Sequence, residues 1–107
     1  MYDFKELYTL DFSNVSHFLE IHAILRKELD FPYYYGCNLD ALWACLTDMV
    51  GRPIHIEIIG LEAVEQKFGD YASKLIEIFT ELKHYDDEYA HEIQIEIVTG
   101  ETRVSLN

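Results

Sequence analysis

"IHIEIIG", residues 54–60, decides the fold of this chain. Ile54, Ile56 and Ile58 alternate with His55 and Glu57. Successive side chains of a strand point to opposite faces, so this pattern predicts a strand with one apolar and one polar face. "EIQIEIV", residues 92–98, repeats it, with Ile93, Ile95 and Ile97 set against Glu92, Gln94 and Glu96. "ELYTLDF", residues 6–12, predicts a third strand, with Tyr8, Leu10 and Phe12 on one side. Helical patterns fill the intervals. Val15, Phe18, Leu19, His22, Leu25 and Leu29 recur at helical spacing after a cap at Ser13 or Asn14, and Pro32 stops that helix. A second helix is predicted over 39–49, capped by Asn38 and ended by Gly51 and Pro53. A short acidic helix over 61–66 precedes a longer one from about Asp70, with Phe68, Tyr71, Leu75, Ile78, Phe79 and Leu82 along one face. Long helical connections between strands imply parallel pairing. The expected fold is therefore α/β: a small three-stranded parallel sheet packed by three to four helices, mainly on one face.

The 107 residues are read as one domain spanning 1–107, long enough to bury roughly 65% of the surface of the unfolded chain. Half are hydrophobic and 14% aromatic, which supplies a core and argues against disorder. Twenty acidic residues face eight Lys and Arg, for a formal charge of −12. Nucleic acid and anionic membranes are polyanions, so a basic protein is the expected partner and direct binding to either polyanion is not. No apolar run is long enough to span a bilayer, and "MYDFKELYTL" lacks the basic-then-apolar order of a secretory signal. Two cysteines are too few for a disulfide scaffold, and free thiols in a reducing cytoplasm are expected.

"FPYYYGCNLDALWACL", residues 31–46, crowds three consecutive tyrosines, a glycine and the sole tryptophan around a helix start. At about 100° per residue, Leu39, Leu42 and Leu46 face the core while Asp40, Ala44 and Thr47 face water. Trp43 falls on the border, and Cys45 lies with Met49 nearer the core. Every residue here has a structural explanation. Asp40 complements the helix dipole, Asn38 caps, and Gly36 serves a positive φ. Three tyrosines in an irregular loop cannot all turn inward, however. Exposed aromatic rings beside a carboxylate describe a docking surface.

"YYGCNLDALWACLTDMV", residues 34–50, resembles the signature segment of the barstar family, small bacterial inhibitors of barnase-type ribonucleases. Pro32, Tyr34, Tyr35, Gly36, Asn38, Leu39, Asp40, Ala41, Leu42, Trp43, Cys45, Leu46 and Thr47 agree with the motif without gaps, and "LRKELDFP" extends it upstream. The resemblance implies a three-stranded parallel sheet with helices, and a cytoplasmic inhibitor that protects the cell from its own secreted ribonuclease. In the family, a loop and the second helix enter the nuclease site, where carboxylates replace substrate phosphates. Carried over by position, the partner-binding residues are Tyr34, Gly36, Asn38, Leu39, Asp40, Trp43, Thr47 and Glu81. This chain departs from the pattern at Ala44, where the family has a central aspartate, and at Cys37, Met49 and Gly51. Asp48, one turn beyond Ala44, adds an acid that the family pattern lacks. Ala44 and Asp48 therefore belong to the candidate surface, and the departures predict a target shaped differently from barnase or a weaker interaction with it.

Other chemistry has little support. "HYDDEYAHE" gathers His84, Asp86, Asp87, Glu88 and His91 in what reads as a polar loop, without regular metal-ligand spacing. Cys37 has no neighbouring base, and no Gly-rich phosphate loop occurs. His17, His22 and His55 read as structural or surface residues. The expectation is a protein without cofactor, metal or catalytic residues, and not an enzyme. The alternative is a barstar-like binding or regulatory module whose partner is not a nuclease.

Overall fold

The computed structural model describes residues 6–89 and 92–106. The chain runs β1 (Glu6–Asp11), α1 (Phe18–Glu28), α2 (Leu39–Thr47), β2 (Ile54–Ile59), α3 (Leu61–Phe68), α4 (Tyr71–Tyr89), β3 (Ile93–Thr99) and β4 (Thr102–Ser105). The strands form one sheet in the order β1-β2-β3-β4. The first three are parallel, with Tyr8, Ile56 and Ile95 in register across them. The predicted parallel core is present, but the sheet has four strands instead of three.

The fourth strand arrives by a hairpin. Thr99 pairs with Thr102 across a two-residue turn, and β4 runs antiparallel to β3. Gly100 takes the first turn position with φ 59°, the place that a II′ hairpin reserves for glycine. All four residues of β4 are exposed. An edge strand with no buried side chain carries no apolar alternation, so period-2 reading passes over it.

The alternation of isoleucines does what it predicts. Ile54, Ile56 and Ile58 are buried, while His55, Glu57 and Ile59 are half-exposed. Four helices cover the isoleucine face, and Leu10, Phe12, Leu42, Leu46, Leu75, Phe79 and Leu82 close the core against it. On the opposite face the side chains satisfy one another. Arg103 of β4 donates to Glu57 and to Glu96, Thr9 Oγ1 donates to Glu57 at 3.2 Å, and His55 Nε2 lies 2.7 Å from Glu96. The Arg103 hydrogen bond leads in holding the Glu57 carboxyl below the usual range.

Three boundaries move. Helix α1 starts at Phe18 instead of near Val15, because the Glu20 carboxylate caps it, accepting from the amides of Ser16 at 2.6 Å and His17 at 2.8 Å. Ser13 instead gives its amide to Asp11 at 2.9 Å, in a turn that follows β1. Phe68 ends α3 and does not join α4. The stretch 84–88 is the last part of α4 and not a loop. Asp86 there is fully buried, accepting from the amides of Glu92 at 3.0 Å and Ile93 at 2.8 Å, with Lys83 3.7 Å away. This carboxylate ties the end of α4 to the start of β3. His91 lies outside the described residues. Among those residues, no helix is long and apolar enough to cross a membrane.

Candidate functional site

The surface singled out by sequence is built from the 30–38 loop, α2 and the middle of α4. Helix α1 ends at Leu29, and Asp30 turns the chain with φ 57°. Of the three tyrosines that follow, Tyr33 is 87% and Tyr34 74% exposed, whereas Tyr35 is 7% exposed. The two outer rings stack edge-to-face at 5.5 Å. Two large aromatic rings are thus displayed side by side, an arrangement that offers contact area at low entropic cost.

Tyr35 is what anchors this display. Its hydroxyl lies 2.7 Å from His22 Nδ1, and Tyr71 Oη lies 2.6 Å from His22 Nε2. The imidazole is completely buried. A neutral imidazole has one donor and one acceptor, so it satisfies one tyrosine of each kind. Burial holds the His22 pKa below the ordinary value and pushes both tyrosines upward, most strongly Tyr35. The triad joins the docking loop to α1 and α4 through uncharged groups. From sequence His22 was one apolar-face position among several. Its partners stand 13 and 49 residues away, so no local pattern shows them.

The next turn starts α2. Asn38 caps it, with its side chain accepting from the Ala41 amide at 2.8 Å. The positive φ expected at Gly36 falls instead on Cys37, at 53°. Gly36 is small for another reason. A Cβ there would lie 3.3 Å from the Ala41 side chain and 3.4 Å from the capping Asn38 amide. Asn38 Nδ2 also donates to the Gly36 carbonyl at 3.2 Å, so a side chain at 36 would press on the cap from both directions.

Along α2 the wheel reading holds at Leu42, Leu46, Asp40, Ala44 and Trp43, but not at Leu39, expected in the core, or at Thr47, expected in water. Leu42 and Leu46 are buried, Asp40 and Ala44 exposed, and Leu39, Trp43 and Thr47 half-buried. The helix ends at Thr47, two residues earlier than expected, and Asp48 is its C-cap. Thr47 Oγ1 is turned back to the Ala44 carbonyl at 3.0 Å. Cys45 is half-buried, and burial followed by the Asp48 carboxylate raises its thiol pKa, which disfavours the thiolate.

Glu81 joins from α4. Trp43 stacks edge-on against Tyr85 at 6.1 Å, and Glu81 precedes Tyr85 by one helical turn, exposed. Tyr85, unnoticed in the sequence, is the contact that brings α4 alongside the α2 face. Its spacing of four from Glu81, one helical turn, is the sequence signal by which it could have been found. Asp30, Asp40, Asp48 and Glu81 make no hydrogen bond or ion pair among the described residues. Gly36, Asn38 and Leu39 set the loop and helix start, while Tyr34, Asp40, Trp43, Ala44, Asp48 and Glu81 present side chains outward.

Fold and face together describe a small α/β domain that displays unpaired carboxylates and aromatic rings on a capped helix and an anchored loop. The sequence model of the family described as "Barstar (barnase inhibitor)" matches residues 6–98. A Bacillus subtilis (strain 168) protein named "Putative ribonuclease inhibitor YrdF" is 41% identical over 71 residues, covering 66% of this chain and 75% of that protein. The chain belongs to the barstar family. Both descriptions are of an inhibitor and not of an enzyme.

Proposed function

We propose that this protein is an intracellular inhibitor of a basic ribonuclease. Its loop–helix face, built on Tyr34, Gly36, Asn38, Leu39, Asp40, Trp43, Ala44, Thr47, Asp48 and Glu81, covers the nuclease active site. The observation that carries the reading is the set of unpaired carboxylates on that face, in a chain of net charge −12. A nuclease that binds RNA phosphates offers a cationic pocket, and carboxylates held by a rigid scaffold fit it as phosphate substitutes. Asp40 sits in the first turn of α2, and Glu81 reaches the same side from α4. Trp43 and Tyr34 supply apolar contact that excludes water around them. The protein works in the cytoplasm, with no cofactor and without touching nucleic acid or membrane itself.

The test is an inhibition assay on basic ribonucleases secreted by the same cell, with purified protein at increasing ratios. Stoichiometric loss of RNA cleavage, weakening as salt rises, is the expected result, because exposed charges are screened by salt. Full hydrolytic rate at saturating protein for every such nuclease defeats the reading. Ala44 favours a second reading, in which the same face holds a partner that is not a nuclease. A methyl group at the centre of the face cannot pair with a cation. Capture from native cell extract, eluted with increasing salt, separates the two: a basic nuclease in the eluate supports the first, and exclusively non-nuclease partners the second.

A further inference from the structure

An open cleft of about 330 Å³ lies beside the docking loop, at the C-terminal end of α2. Its floor is apolar, made by the buried Leu29, Phe31 and Met49. Tyr34, Ala44 and Cys45 line the cleft as well. Asp30 and Asp48 also line it, both exposed and neither making a hydrogen bond or ion pair among the described residues. Arg52 lines it too, with its guanidinium 3.7 Å from Glu6. A small residue at 44 widens this cleft. An acid there would narrow it and bring charge to its mouth.

We propose that this cleft receives an arginine side chain of the protein partner, with Asp48 as the principal pairing carboxylate and Asp30 as the second. The inference rests on the reading of this face as a docking surface and adds what the partner must present. Charge selects a cation, because two exposed carboxylates line the cleft against the single guanidinium of Arg52, which leans toward Glu6. Shape selects arginine over lysine. A cleft lined by an exposed tyrosine and by buried apolar side chains suits a flat guanidinium, which stacks on aromatic faces and is weakly hydrated. The lysine ammonium is a strongly hydrated point that would lose its water over an apolar floor. In this chain the acid on that side of α2 stands at position 48 and not at position 44. A partner built to meet an acid at the centre of α2 is mismatched here, whereas one whose arginine reaches the end of α2 fits.

The test uses the whole chain labelled with ¹⁵N and titrated with argininamide, lysinamide and the uncharged isostere citrullinamide. Argininamide is expected to bind in the millimolar range, shifting the amides of Asp30, Phe31, Cys45, Asp48 and Met49. Lysinamide should bind more weakly, and citrullinamide should not bind. Asp48→Asn should weaken argininamide about fivefold, the scale of one exposed charge pair. Arg52→Gln should tighten it, and Glu65→Gln on α3 should leave it unchanged. Shifts spread evenly over the acidic surface, or equal affinity for argininamide in Asp48→Asn, overturn the proposal. If argininamide occupies the cleft but no nuclease is inhibited, the cleft stands and the inhibitor reading falls. If a nuclease is inhibited equally by wild type and Asp48→Asn while argininamide shows no site, the cleft falls and the inhibitor reading stands.

Discussion

The outer face of the sheet and the loop–α2 face are both rich in acids, yet they treat them oppositely. On the sheet, Glu57 and Glu96 share Arg103, and each takes a further bond from Thr9 or His55. On the other face, Asp30, Asp40, Asp48 and Glu81 have no such partners among the described residues. Carboxylates already hydrogen-bonded within a fold gain little from an incoming cation, since one favourable pair must be broken to make another. Unpaired ones keep their full field for a partner. The contrast shows that pairing separates the acids that hold the structure from those available to recognise something. The count of acids does not.

The most damaging way to break that contrast is to remove the anchor under the docking loop. His22→Ala leaves the buried Tyr35 hydroxyl and the half-buried Tyr71 hydroxyl without their shared partner, and a fully buried unpaired group costs about 1–3 kcal/mol. A loss of about 2–4 kcal/mol is expected in urea unfolding, together with weaker inhibition as Tyr35 and its neighbours loosen. An unchanged urea midpoint would mean that the triad holds nothing. Next in size, Asp40→Ala should weaken nuclease inhibition by about thirtyfold, as loss of a central hot-spot side chain does. Its melting temperature should stay within a degree or two of wild type, because the carboxylate supports nothing internal. Inhibition at wild-type strength would remove Asp40 from the surface.

Acid titration sharpens the contrast on the structural side. The folded state holds His22 below the usual imidazole value of 6.5, so the unfolded chain binds the proton more readily. Stability from this group is complete above about pH 6.5 and is lost as pH falls through the depressed folded value. The urea midpoint of the wild type should therefore begin to drop just below pH 6.5. His22→Gln should stay flat until the carboxylate range, where Glu57 gives up its own contribution below its usual 4.5. Identical profiles would exclude His22 as the source. The smallest effect belongs to Arg103→Ala, because exposed ion pairs contribute little. A slight fall in urea midpoint that shrinks further in salt is expected, with inhibition unchanged. A loss of inhibition there would join the two faces and end the distinction between them.

Much of this was legible along the chain because it is local. Alternating isoleucines mark β2 and β3, helical spacing marks α1 and α4, and Asn38 marks the start of α2. The segment from Pro32 to Thr47 carries the family resemblance in residues that the loop and helix need together. What escaped the reading depends on residues far apart in sequence. Arg103 meets Glu57 from 46 positions away, and β4 joins the sheet with no buried residue to show for it. Asp86 looked like a solvated acid beside other acids until the start of β3 folded back onto it. Gly36 was assigned the wrong task. The backbone bend went to Cys37, and the lack of a side chain at 36 serves the cap instead.

From sequence alone came the helices in outline, the three parallel strands and the identity of the aromatic and acidic candidates, because periodicity and capping act within a few residues. Tertiary structure alone decided which acids are occupied and which are free, that the buried His22 holds the docking loop, and that Tyr34 and Ala44 line one cleft. Those properties belong to distances between side chains, and distances across a fold exist only once the core has closed.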